Sequence, residues 1–186
     1  MCKLKVSDFY YGAFLSALLN TPDRHLVLFD GKGKNERRIY CLETNLSGEL
    51  FIYAKCKTGM YADTEGSWHW AFQFSADEVE KIQDLYREKG NVRLALICIK
   101  KSKKRKKDID GIESVEIELA ESELALVDYK NAMECLGVNI GTKTNQIDIK
   151  TYPNKKGLRM YGTGRSVELN GKDNTLVVPR NALDTL

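Results

Sequence analysis

Residues 36–58, ERRIYCLETNLSGELFIYAKCKT, read as two strands joined by a tight connection. Asn45, Ser47 and Gly48 are turn formers, while Ile, Tyr, Phe and Cys fill the flanks with the residue types that strands favour. A turn centred between Leu46 and Ser47 sets Glu36 opposite Lys57, an acid beside a lysine at the far end of one hairpin.

Upstream of this hairpin, Ser7 is placed to cap a helix over 8–20, with Tyr10, Phe14, Ala17 and Leu18 on one face and Pro22 at the exit. His25 to Phe29 is nearly all apolar and reads as a buried first strand. Asp30-Gly31-Lys32-Gly33 then forms a turn.

Downstream, Trp68, Trp70, Phe72 and Phe74 alternate with His69, Ala71 and Gln73, the period of a strand. The four aromatics are expected to face the core. An exposed aromatic row would instead make a base-stacking platform. His69 falls on the opposite face as an isolated histidine, and His25 has no evident partner. Ser75 and Glu78 have the spacing of a capping box opening a helix to about Lys89, with Gly90 as its left-handed end. Val92 to Ile99 is a strong strand.

The run KKSKKRKK at 100–107 holds seven of the 29 basic residues; without it 22 basic residues face 26 acidic ones. One segment therefore sets the net charge of +3. It reads as a basic loop in which Lys100, Lys101, Lys103, Lys104, Arg105, Lys106 and Lys107 are the candidate nucleic-acid contacts, through counterion release from phosphates. The competing expectation is a solvated hairpin loop neutralised by Glu113, Glu116, Glu118, Glu121 and Glu123. Val115, Ile117 and Leu119 alternate with those acids as a half-buried strand, and Leu124 to Val127 forms another. Asp128 then caps a short helix ending at Leu136 and Gly137.

The remaining residues carry three short strands, 147–151, 158–161 and 175–178, separated by glycines and asparagines. Tyr161-Gly162-Thr163-Gly164-Arg165-Ser166 has the look of a phosphate loop but lacks the Lys-Ser/Thr ending, so its glycines are expected to serve a turn or bulge.

The order through residue 100 is helix, three strands, an extra strand, helix and strand. This αβββαβ order resembles the restriction-endonuclease-like, or PD-(D/E)XK, superfamily. The expectation is an α+β (mixed α/β) fold with that core over 1–137 and a small β-rich extension over 138–186 packed on it. In the superfamily the central hairpin carries an acid and then a (D/E)-x-K triplet, and the paired carboxylates hold a divalent metal. Lys55-Cys56-Lys57 is the matching triplet here. Lys57 fits the lysine position, and Lys55 stands where a carboxylate belongs. The resemblance implies Glu36, Lys57 and Glu78 as catalytic candidates and Asp30, Glu36 and Glu80 as metal ligands, with Glu78 or Glu80 supplying the missing carboxylate from the helix. The expected cofactor is none, or Mg2+ if the site is active.

The function expected is a nuclease-fold protein that binds DNA or RNA through basic loops without an intact catalytic site. The alternatives are an active Mg2+-dependent endonuclease and a module that meets a protein partner. The five cysteines are odd in number and show no CxxC spacing, so neither a disulfide framework nor a zinc site is indicated, and a reducing, cytoplasmic setting is expected. No apolar run approaches the ~20 residues of a membrane span. Homodimerisation is left open.

Overall fold

The computed structural model describes residues 6–20, 24–28, 39–44, 48–58, 60–62, 66–107, 113–119, 122–138, 145–153, 155–180 and 182–185; for 24–28, 60–62, 101–107 and 113–119 it gives the course of the strand alone. The protein is mixed α+β.

Helix α1 (Val6–Leu19) leads into strands β1 (Arg24–Leu28), β2 (Ile39–Thr44) and β3 (Gly48–Thr58). Strands β4 (Met60–Ala62) and β5 (Ser67–Phe74) follow, then helix α2 (Ala76–Lys89) and strand β6 (Val92–Ile99). Strands β7 (Lys101–Lys107), β8 (Glu113–Leu119) and β9 (Glu123–Asp128) precede helix α3 (Tyr129–Leu136). The chain closes with β10 (Asn145–Lys150), β11 (Gly157–Gly162), β12 (Glu168–Leu169), β13 (Lys172–Asp173) and β14 (Leu176–Pro179).

Two five-stranded sheets carry the molecule. The first runs β1-β2-β3-β6-β9, antiparallel throughout except for β3 and β6, which are parallel. A parallel neighbour needs a crossover, and the connection from β3 to β6 passes through α2. The second runs β14-β11-β10-β5-β4 and is wholly antiparallel. The C-terminal strands therefore share a sheet with β4 and β5.

Alternation along the strands explains how the layers stack. Leu50, Ile52 and Ala54 of β3, with Ala95, Ile97 and Ile99 of β6, meet Phe14 and Leu18 of α1. The residues between them, such as Tyr53, Leu94, Leu96 and Cys98, face the other way onto α2, α3 and the second sheet. Trp70, Phe72 and Phe74 are buried there, as the aromatic alternation predicts. Trp70 is 0 % exposed, and its indole N–H donates to the Ile99 carbonyl at 2.9 Å, joining the two sheets through a satisfied polar atom. Truncating such a side chain costs about 3–5 kcal/mol.

The helix ends follow their local signals. Ser75 Oγ accepts from the Glu78 N–H while the Glu78 carboxylate accepts from the Ser75 N–H, the reciprocal pair of a capping box. Asp128 caps α3, and Gly137 ends it in the left-handed region at φ 69°. Helix α1 begins before Ser7, so Ser7 lies inside it and does not form its cap.

Candidate nucleic-acid interface

The basic run is a strand. Strand β7 pairs antiparallel with β8 over its whole length, from Lys101 opposite Leu119 to Lys107 opposite Glu113. Lysine is a poor strand former in isolation, but here the partner strand alternates Val, Ile and Leu with glutamates, which favours pairing across the ribbon. The ribbon continues the arms of β6 and β9, which pair down to Cys98 opposite Glu123. The two pairings differ in register by one residue.

Register decides where the charge goes. Directly opposed residues share a face, so one ribbon face holds positions 101, 103, 105 and 107 with 119, 117, 115 and 113. That is Lys101, Lys103, Arg105 and Lys107 against Glu113 alone, a balance of +3. The other face holds Lys104 and Lys106 with Glu116 and Glu118, a balance of zero. By register alone, the formal charges of the opposed positions sum to zero on one face and to +3 on the other, which also holds positions Val115, Ile117 and Leu119.

At the root of the ribbon, Lys100 donates to Glu123 at 2.8 Å, and Arg180, just beyond β14, lies 3.7 Å from the other Glu123 oxygen. The Glu123 side chain is 14 % exposed, so this carboxylate is held between two cations away from most of the solvent. Beside it opens a cleft of about 510 Å3 between the ends of the two sheets, lined also by Trp68, Tyr152, Lys155 and Lys156. Lys155 and Lys156 form no ion pair with a described residue. Four cations therefore line the cleft against one carboxylate.

The hairpin of β2 and β3 pairs Ile39 with Tyr53 and Thr44 with Gly48, a register one residue from the one that sets Glu36 against Lys57. Glu36 and Asp30 lie outside the described residues. Lys57 is exposed, and Glu80 is exposed on α2. Glu78 is brought to the hairpin, but by Lys55: the Lys55 ammonium lies 2.8 Å from both carboxylate oxygens and also donates to the Gln73 carbonyl at 2.6 Å. Tyr53 donates to the same carboxylate at 3.0 Å. With the Ser75 N–H, four contacts occupy the four acceptor positions of the carboxylate. Burial alone would raise the Glu78 pKa, but the hydrogen bonds and charge supplied by Lys55, Ser75 and Tyr53 outweigh it and hold the pKa below the usual carboxylate value. Among the described residues, no three His, Cys, Asp or Glu side chains are grouped to hold a metal.

A polar cluster that the sequence reading missed lies on the outer face of the second sheet. His69 Nε2 is 2.7 Å from Asp148 Oδ1, and Gln146 donates to both Asp148 oxygens at 3.0 and 2.8 Å. The Tyr161 ring stacks on His69, and its hydroxyl is pushed up to about 12 by burial, by the Asp148 charge and by Tyr152. The signal available was the alternation Ile147-Asp148-Ile149, which puts Asp148 on a polar face. Its partner is 79 residues away in sequence, and only sheet pairing reveals it.

The glycines of 161–166 have a different use from a phosphate loop. Gly164 N–H donates to the Cys135 carbonyl at 2.9 Å and Thr163 N–H to the Gln146 carbonyl at 3.1 Å. A Cβ on Gly162 or Gly164 would strike the backbone of α3 or β10. Arg165 pairs with Glu134. The turn is a packing surface for the end of α3. Sequence reasoning did not bring Trp68 and Arg180 together with Lys100, because the sheet ends where they meet are remote in the chain.

No helix among the described residues is long and apolar enough to cross a membrane. Comparison of the chain with protein-family models, with curated proteins and with solved structures finds no match.

Proposed function

We propose that this protein binds nucleic acid through the basic face of the β7–β8 ribbon, with the cleft at its root continuing the contact. The observation that carries this reading is the separation of charge by register: +3 on one ribbon face and zero on the other. A merely solvated, self-neutralised hairpin has no need of that arrangement. Phosphate contacts of this kind position a chain on nucleic acid without reading its sequence.

The likeness to restriction-endonuclease-like proteins is part of the same reading. Its support is the order α1, β1, β2, β3, α2, β6 with β3 and β6 parallel across α2. Catalysis is not part of it, because Glu78 is engaged by Lys55 and a divalent ion would have to displace that ammonium. A reducing, cytoplasmic setting goes with the buried free thiols of Cys41, Cys98 and Cys135.

The test is a titration of labelled single- and double-stranded DNA and RNA in chelator across a salt series. If the four basic positions of one face each neutralise a phosphate, log K falls against log salt with a slope of about −3.6 on duplex DNA. Replacing 101–119 with an Asn-Gly turn, which leaves the pairing of β6 with β9 intact, is expected to remove most of that binding. Absence of binding at low salt would overturn the proposal.

A further inference from the structure

The cleft at the root of the ribbon differs from the ribbon in one respect: it has aromatic walls. Trp68 and Tyr152 line it together with Lys100, Arg180, Lys155 and Lys156. Trp68 is the outermost of the aromatic row on β5. Trp70, Phe72 and Phe74 are sealed in the core, whereas Trp68 is half-buried and stacks on Trp70 with ring centroids 6.1 Å apart. The indole is thereby held rigid at the mouth of the sandwich, backed by a side chain that is 0 % exposed. Trp68 N–H donates to Thr151 Oγ1 and Thr151 N–H donates to the Trp68 carbonyl, which ties the Tyr152 segment to the same spot.

A volume of about 510 Å3 lies within the range of small-ligand sites, ~300–1,000 Å3. A flat aromatic surface beside several cations is the combination that single strands use: a base stacks on the ring while the phosphate meets the charge. A base-paired duplex cannot offer an unstacked base to such a cleft. The ribbon, by contrast, offers only charge, which serves either form.

We infer that the cleft takes one unpaired nucleotide of a single strand, its base against Trp68 and Tyr152 and its phosphate among Lys100, Arg180, Lys155 and Lys156. This rests on the nucleic-acid reading of the ribbon and adds to it a preference for single-stranded substrate. The ribbon holds the flanking backbone, and the cleft selects the strand that has a free base.

The experiment compares a short oligothymidylate with a blunt duplex of two annealed strands carrying the same number of phosphates, using the full chain in chelator. Only two tryptophans are present, and Trp70 is shielded, so quenching of tryptophan emission reports on Trp68. The expected result is quenching by oligothymidylate but not by duplex. Trp68→Ala is expected to weaken oligothymidylate binding by about tenfold or more and duplex binding by less than about twofold. Tyr152→Ala, which leaves the Trp68–Trp70 stack in place, is expected to shift affinity in the same direction and covers the case in which the Trp68 variant fails to fold. If wild type binds both ligands with steep salt dependence, yet these variants leave oligothymidylate affinity unchanged or lower both affinities equally, the inference fails and the ribbon reading stands. If wild type binds neither ligand, both fail.

Discussion

Lys55 on β3 and Glu78 at the start of α2 form a single ion pair in which one ammonium lies 2.8 Å from both oxygens of one carboxylate. The pair ties the crossover helix to the central strand of the first sheet. Because the Glu78 pKa is lower in the folded protein than its ordinary value of 4.5, its charge stabilises the fold above that pH. That stabilisation is lost as the pH falls below 4.5 toward the lower folded value. Glu78→Gln should therefore cost about 1–3 kcal/mol near neutral pH, and the gap from wild type should close as the pH drops through this window. Urea unfolding at a series of pH values measures both. A gap that stays constant into acid would mean that the capping hydrogen bonds, not the charge, hold the helix.

Two glycines should respond oppositely to alanine. A Cβ on Gly164 would come within 2.5 Å of the Gly137 backbone, and neither chain can retreat without breaking the hydrogen bond from Gly164 to Cys135. Gly164→Ala should destabilise by about 1–3 kcal/mol. Gly12 sits inside α1 with nothing near its missing Cβ, so Gly12→Ala should stabilise by about 0.5–1 kcal/mol. Thermal unfolding of the two variants decides the matter.

Three buried thiols should be silent in the native protein. Burial, reinforced by the Glu123 charge, holds Cys98 well above the ordinary thiol value, and burial with Glu134 pushes Cys135 up to about 11. Cys41 is raised by burial and by Glu49 and Glu43. Thiolate is the reactive form, so a pulse of iodoacetamide should label these three only after denaturant is added. Native labelling of Cys98, read by peptide mass spectrometry, would contradict the packing of β6 against the second sheet.

Features written in neighbouring residues were legible in the sequence. Ser75 and Glu78 announce their helix because the capping box closes within one turn, and Val92 to Ile99 is apolar enough to be a strand wherever it sits. The hairpin was legible, but its register was off by one residue, since one residue in the turn changes every opposed pair. The basic run read as a loop because lysine propensity is local, whereas the pairing that makes it a strand comes from β8. The site at its root was illegible for the same reason. Lys100, Trp68 and Arg180 meet only where two sheets end, and no spacing in the chain encodes that meeting.

The central claim is that the two faces of the ribbon differ in function, and two double variants test it directly. Lys103→Gln with Arg105→Gln and Lys104→Gln with Lys106→Gln each remove two charges from the same strand. At about 0.15 M salt the screening length is roughly 8 Å, short enough for the faces to be told apart. Salt-dependent titrations of both variants against duplex DNA are the measurement. The account predicts that the first pair lowers the salt slope by about 1.8 and weakens binding strongly, while the second leaves the slope nearly unchanged. Equal losses from the two pairs would contradict it, for then net charge and not the register of the ribbon would be what nucleic acid meets.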